Sequence, residues 1–328
     1  MAAVTLKTGH KPRVGILINP LSGKNRQRPA AISQIAGDYS QVLQLNVQTP
    51  QEVYDALVEC SRRNVNILVI SGGDGTVQAV LTVLFHHQPF TSQPQLVVLE
   101  GGTTNMTAGD VGISGNQDKA LRRILQWMQK GSGSVTRIQR PVLRLHVPGH
   151  EVKYGMFFGA AGISQGILYY HRHLHNRRLH GLPGICATLV RFLWAIIRQH
   201  KQFVGSTHIT VILDKQQPLK EDFMLLFVST LGRLFFNLRP FWGHENGPLR
   251  FTAVRSQARH LLRVLSFLAR GHRAGKGTRE NGYYSHNVDE VELYITEPVA
   301  LDGEMYTPVN GQIPTTLRHG GDVTFLRI

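Results

Sequence analysis

Cysteine is almost missing from this chain: two in 328 residues, Cys60 and Cys186. They lie far apart and match no metal-ligand or disulfide spacing, which reads as two packing residues in a reducing compartment. Long apolar runs are missing too. The longest, from Ile185 to Ile197, is broken by Arg191 and falls short of the ~20 residues a membrane-spanning helix needs. Residues Met1 to Pro12 hold no continuous apolar segment of the kind a secretory signal requires, so export is not indicated. Acids are absent from two windows. Between Arg172 and Lys201 six Lys or Arg stand with no Asp or Glu, and between Arg250 and Arg279 eight more do. The formal net charge of +15 is therefore regional, and such patches suit phospholipid headgroups or nucleic acid. No nucleic-acid reader motif accompanies them, which favours the headgroups.

What is present is apolar residues at 42%, enough for a substantial core and for two domains. From Arg13 to about Gln129, short β-rich runs alternate with helical stretches. The runs are Val14–Ile18, Val42–Val47, Ile67–Ile70 and Leu96–Leu99, and the helices are expected near 28–37, 51–63, 75–87 and 117–129. That alternation predicts a parallel sheet flanked by helices. After Lys130 comes a Gly/Ser break, Gly131-Ser132-Gly133-Ser134, and then strand-like runs dominate. These are Val142–Val147, Tyr154–Phe158, Thr207–Leu213, Phe223–Val228, Leu249–Val254, Val291–Ile295 and Val323–Ile328. The expected organisation is an α/β domain over 1–139 and a mostly antiparallel β-sandwich over 140–328, with two helical stretches inserted.

Four short segments could carry chemistry. Asn19-Pro20-Leu21-Ser22-Gly23-Lys24 follows the first strand; Walker-A spacing is excluded, because the Gly four residues before Gly23 is missing and Asn25 replaces Ser/Thr. Taken alone it is as well explained by a polar turn with a helix cap. Ser71-Gly72-Gly73-Asp74-Gly75-Thr76 sits between a strand and a helix. Its glycines let backbone N–H groups approach phosphate, and Asp74 could hold Mg²⁺ or accept a proton. It does not complete a Gly-x-Gly-x-x-Gly fingerprint. Gly101-Gly102-Thr103-Thr104-Asn105 offers hydroxyls and amides at a third strand end. Leu301-Asp302-Gly303-Glu304 puts two carboxylates around one glycine, suited to a metal and a proton acceptor, or to a simple turn with exposed acids. Three glycine loops on consecutive strand ends make a shared nucleotide site the better explanation than three unrelated turns.

In this order the four segments resemble the diacylglycerol kinase and sphingosine kinase catalytic-domain family, over about residues 13 to 328. Gly-Gly-Asp-Gly-Thr is the most specific element, and NAD kinases carry a similar one. The resemblance implies a lipid kinase-like fold: the α/β domain and the β-sandwich enclosing a nucleotide cleft. It implies that Asn19, Ser22, Lys24, Gly72, Gly73, Gly75, Thr76, Gly102, Thr103 and Asn105 contact ATP, and that Asp74 and Glu304 serve Mg²⁺. Asp302 looks like the general base of the diacylglycerol kinases, whereas the sphingosine kinases are thought to use the aspartate corresponding to Asp74; Asp302 is the reading adopted. The implied activity is ATP-dependent phosphoryl transfer to a lipid hydroxyl, with diacylglycerol or a related lipid as acceptor. Departures from the pattern are Met106 where the family has Asp, Ser164 where it has Gly-Phe-Asp, Gln78-Ala79 for Asn-Glu, and Glu245-Asn246-Gly247 for Asp-Asp-Gly. They keep two other readings open: a catalytically weakened lipid-binding relative, and a soluble NAD kinase-like enzyme.

The basic windows bear on location. Leu189, Val190, Phe192, Leu193, Trp194, Ile196 and Ile197 alternate with Arg191 and Arg198, and Leu261, Leu262, Val264, Leu265 and Leu268 lie beside Arg263. Such basic amphipathic helices suit a bilayer interface, giving a cytoplasmic protein attached peripherally to anionic membranes through 172–201 and 250–279. The alternative is that both pack on the β-sandwich and leave their charges in water. His171, His173, His175 and His180, set among arginines, read as basic surface rather than as metal ligands.

Overall fold

The computed structural model describes residues 12–28, 30–102, 104–113, 115–130, 135–173, 206–234, 237–261, 263–264 and 277–327, with backbone alone for 169–173. The chain forms two units: Met1–Val142 with Gly321–Ile328, and Leu143–Gly320.

The first unit is built on parallel strands β1 (Val14–Ile18), β2 (Leu43–Asn46), β3 (Ile67–Gly72) and β4 (Gln95–Glu100), in the order β2-β1-β3-β4. Every residue of β1 and β3 is buried, which is the pattern of parallel strands covered on both faces. The covering helices are α1 (Gly23–Gln27), α2 (Ala31–Gly37), α3 (Pro50–Arg62), α4 (Asp74–Thr82), α5 (Met106–Val111) and α6 (Gln117–Lys130). α3 starts where its sequence says it should. Thr49 accepts from the Glu52 amide at 3.2 Å, Glu52 accepts from the Gln48 amide at 2.6 Å, and Pro50 fills the first turn, the reciprocal cap that satisfies orphan N–H groups. α6 buries Ala120, Leu121, Ile124, Leu125 and Trp127 against the sheet core, beside Val97 and Leu99. The single helix expected over 75–87 is instead α4 followed by a π turn, Val83–His87, which Gln88 stops with left-handed backbone.

Strands β1, β3 and β4 end together. Ile18 lies opposite Ser71, and Gly72 opposite Glu100. The loops that follow these strands, at 19–22, 73 and 101–105, therefore emerge along one carboxyl edge of the sheet, the edge where open α/β sheets hold ligands.

The second unit is antiparallel. It contains the end of β5 (Thr136–His146), β6 (Lys153–Gly155), β7 (Phe157–Ala161), α7 (Gly162–His173), β8 (Thr207–Leu213), β9 (Leu219–Ser229), β10 (Leu249–Arg255), β11 (Tyr283–Val288), β12 (Glu290–Tyr294), β13 (Val299–Leu301), β14 (Glu304–Tyr306) and the start of β15 (Thr315–Arg327). The pairing runs β14-β13-β7-β9-β8-β12-β15, with β10 bridging β9 and β11, and β6 on β5. Phe158, Phe223, Phe251, Leu226, Val291 and Leu317 fill its core.

Two expectations on organisation are modified. A single boundary at 139/140 falls inside β5, and the chain crosses a second time, because the last residues of β15 lie with the first unit, Phe325 opposite Leu96. The basic window 250–279 begins with β10, as the run Leu249–Val254 predicts, and two of its arginines are engaged internally: Arg250 donates to the Leu231 carbonyl at 2.7 Å and lies over the Phe241 ring, while Arg255 pairs with Glu221 at 3.3 Å. Val264 is buried with Met224, Val254 and Tyr283, and Leu261 packs on them. The described start of that stretch thus packs on the β unit. The stretch Cys186–Lys201, with Trp194, and His175 and His180 lie outside the described residues. Among the described residues no helix is long and apolar enough to cross a membrane.

Candidate active site

The first-unit loops are joined by side-chain amides. Asn19 donates its amide N–H to the Ser71 carbonyl at 2.9 Å and its Nδ2 to Thr76 Oγ1 at 2.9 Å. Ser22 Oγ accepts from the Gly73 amide at 3.2 Å. Each of these bonds ties the first loop to the second. Behind them Asn25, 2% exposed, donates Nδ2 to the carbonyls of Asn19 and Ser71, both at 2.9 Å, and accepts at Oδ1 from Gln117 Nε2 at 3.0 Å. The sequence marks Asn25 only as a departure from the Walker pattern and Ser71 only as the start of the second segment, and it assigns neither of them, nor Gln117, to the site. The only available signal was that a polar residue stands where a Walker loop wants a hydroxyl.

The second and third loops meet backbone to backbone. A Cβ on Gly72 would collide with Thr76, and one on Gly102 would overlap the Gly73 Cα, so these positions admit only glycine. Asn105, in left-handed backbone, closes the third loop on itself: its Oδ1 accepts from the Gly102 amide at 2.7 Å and its Nδ2 donates to the Gly102 carbonyl at 2.9 Å. Lys24 donates its amide to the Gly101 carbonyl at 2.9 Å and pairs its ammonium with Glu100 at 3.0 Å. Gly75 lies in the first turn of α4. Thr103 lies outside the described residues.

Asp74 is 5% exposed and is held in this framework through both carboxylate oxygens. Its Oδ2 accepts from Thr104 Oγ1 at 2.7 Å and the Met106 amide at 3.1 Å, and its Oδ1 accepts from the Thr107 amide at 3.0 Å. It therefore caps α5 from a different segment, satisfying N–H groups that a helix start leaves without intrahelical partners. Oδ1, with one donor, keeps capacity for a cation, and a magnesium ion is often held by one or two carboxylates together with substrate phosphates. On that count Asp74 fits the ion. Among the described residues no group of three His, Cys, Asp or Glu side chains converges as a metal cluster.

In the second unit Asp302 and Gly303 turn the β13–β14 hairpin, with φ of 48° and 95°, the two-residue turn with positive φ at both centres that Asp-Gly favours. The exposed-acid alternative fails for Asp302, which is 6% exposed. Its Oδ2 and Oδ1 accept from the Met156 and Phe157 amides, both at 2.9 Å. Glu304 is exposed at the start of β14. Of the departures, Met106 is buried beside Asp74, Ser164 caps back onto the Ala161 carbonyl at 2.9 Å, and Asn246 is exposed. Glu245 turns to β11, pairing with His286 at 2.8 Å and accepting from the Asn287 amide at 2.9 Å. Burial pushes its carboxyl up, but the Asn287 amide and His286 outweigh this and lower it to about 2.

The class these features define is a parallel α/β unit with interlocked glycine-rich loops at its strand ends, followed by an antiparallel β unit. Residues 13–133 match the diacylglycerol kinase catalytic domain model. A relative from Stenotrophomonas maltophilia (strain K279a), named "Probable lipid kinase YegS-like", is 31% identical over 119 residues, 35% of this chain. The aligned stretch spans 38% of that relative's length. Two solved structures from Bacillus anthracis str. Sterne that carry the name diacylglycerol kinase share the fold, with TM-scores of 0.65 and 0.60 at 18% and 17% identity; each comparison covers 98% of both chains.

Proposed function

We propose that the protein is an ATP-dependent lipid kinase that transfers the γ-phosphoryl group to a lipid hydroxyl, diacylglycerol or a close relative. The observation that carries this reading is the welding of three glycine-rich loops into one amide-lined edge, with Asn19, Ser22 and Asn25 fixing the first two and Asp74 the third. Phosphoryl transfer asks a protein mainly for alignment and charge neutralisation. On this reading Gly72, Gly73, Gly75, Thr76, Gly102, Thr103 and Asn105 bind the triphosphate, and Lys24 exchanges Glu100 for a phosphate oxygen. Magnesium, when bound at Asp74, would neutralise triphosphate charge. Asp302 takes the proton of the acceptor hydroxyl as its oxygen bonds the γ-phosphorus and the bond to the β-bridging oxygen breaks, releasing ADP. Its two backbone donors hold the carboxylate in one orientation for that task.

The test is incubation of the purified protein with labelled ATP, magnesium and a total lipid extract. Label in a phospholipid is the expected result. Label transferred to NAD in the absence of lipid would instead identify a soluble nucleotide kinase. A second reading, a weakened lipid-binding relative, is favoured by Met106 and Ser164 standing at family acid positions; it predicts lipid binding with no labelled product. Asp302→Asn is expected to lower turnover by roughly 10² to 10⁴, the usual contribution of a general base. Asn tolerates the left-handed backbone at 302, so the fold can be checked by the unfolding midpoint in the same preparation. Unchanged turnover would remove Asp302 from the mechanism.

A further inference from the structure

The segment between β14 and β15 is set apart by composition. From Met305 to Leu317 it holds no charged residue, in a chain with 36 Lys or Arg and 21 Asp or Glu. Among the described residues three large apolar side chains are exposed, and two lie here: Val309, 74% exposed, and Ile313, 53% exposed. Exposed apolar residues scattered singly need no explanation. This pair shares one loop, and the loop is tied by bonds within the protein.

The holding contacts are local. Asn310 Oδ1 accepts from the Gln312 and Ile313 amides at 3.1 and 3.2 Å, and the Val309 amide donates to the Pro148 carbonyl at 3.2 Å. His150 bonds the Thr307 carbonyl at 2.8 Å and stacks edge-on against Tyr306. Pro308 is buried, and Pro308 and Pro314 have no N–H to satisfy. Three of the five remaining amides from 309 to 313 are thus bonded within the protein. Amides already bonded within the protein lower the cost of bringing a loop towards hydrocarbon, where an unpaired backbone group finds no water. The adjoining turn, from Leu145 to His150, also lacks Lys, Arg, Asp and Glu, and the bordering Glu151 is paired with Lys153 at 3.1 Å.

We propose that the 307–314 loop is an interfacial element that inserts Val309 and Ile313 into the headgroup and acyl boundary of an anionic bilayer. Two protruding side chains fall far short of the roughly 800 Å² per partner of a stable protein interface. In a bilayer each inserted side chain contributes on its own. The net charge of +15 adds attraction to anionic lipid. The location suits the proposed activity as well: β14 has three residues, so the loop starts only about 10 Å along the strand from the Asp302 turn. The choice of a bilayer as partner rests on the lipid kinase reading; the loop's internal bonding and lack of charge do not.

The experiment compares the full chain with the Val309→Ser, Ile313→Ser double variant in co-sedimentation with vesicles of phosphatidylcholine mixed with phosphatidylglycerol, without nucleotide. Both sites are exposed, so the unfolding midpoint should not move. The expected result is a partition coefficient lower by about tenfold or more in the variant. In parallel, turnover on a short-chain, dispersed diacylglycerol should be equal in the two proteins while turnover on vesicles falls in the variant. Equal vesicle partition, or absence of binding by the unaltered chain, overturns the proposal. So does a self-association without vesicles that the double variant abolishes. If no lipid is phosphorylated but the partition difference persists, the kinase reading fails and the loop assignment stands.

Discussion

Asn25 is a clear case of a residue whose chemistry was visible and whose task was not. Its position after Gly23-Lys24 excluded a Walker loop, yet its burial and its partners at Ser71 and Gln117, 46 and 92 positions away, depend on the sheet bringing strand ends together. Because its Nδ2 faces two carbonyls, Asn25→Asp should be at least as harmful as Asn25→Ala despite its similar shape. Either change is expected to lower unfolding free energy by about 1–3 kcal/mol, the cost of leaving buried polar groups unpaired. Urea titration measures it, and an Asp variant as stable as the unaltered chain would contradict the bonding assigned to Asn25. Asp74 teaches the same lesson. An acid between glycines suggests metal or proton chemistry, but its three donors at Thr104, Met106 and Thr107 come from a segment some thirty residues on.

Elements with their own caps and periodicity were legible; those completed by distant residues were not. α3 carries its reciprocal cap in its own sequence, and β1 and β3 are plain apolar runs. α5 was missed because its cap, Asp74, lies in another segment, and β13 and β14 because three residues are too few to show alternation. β11, Tyr-Tyr-Ser-His-Asn-Val, was missed because its polar half is paired by the segment 242–247 rather than exposed: Ser285 accepts from the Trp242 amide, and Glu245 bonds His286 and Asn287. That attachment has a pH signature. The Glu245 carboxyl is lowered from 4.5 to about 2 in the folded protein, so its stabilisation is fully present above the unfolded value and disappears as pH falls from about 4.5 through 2. Because the side chain is 49% exposed, the effect is expected to be about 1 kcal/mol at most after solvent screening. Comparing unfolding of the unaltered chain and Glu245→Gln across this range tests it; a difference that grew on acidification would have the wrong sign.

At the scale of the molecule, the alternation of strand and helix up to Gln129 and the strand-rich remainder gave the fold class, because hydrophobic period reports which layer a segment can join. The same signal cannot say where a late strand docks. Val323–Ile328 reads as one more strand of the second domain, yet the structure returns it to the first. Val323, Phe325 and Leu326 are each at most 1% exposed there, and Arg327 bonds the Gly112 and Asp110 carbonyls. Burying three such side chains is worth roughly 5–9 kcal/mol, which is of the order of a whole domain's stability. Ending the chain after Gly320 should therefore unfold the Met1–Val142 unit although no residue of its own continuous segment is touched. Hydrogen exchange followed peptide by peptide distinguishes the outcomes: amides of β1, β3 and β4 are expected to lose protection in the shortened chain, while those of β8, β9 and β12 keep theirs. Protection retained in β3 and β4 would show that the four parallel strands suffice without the returning strand.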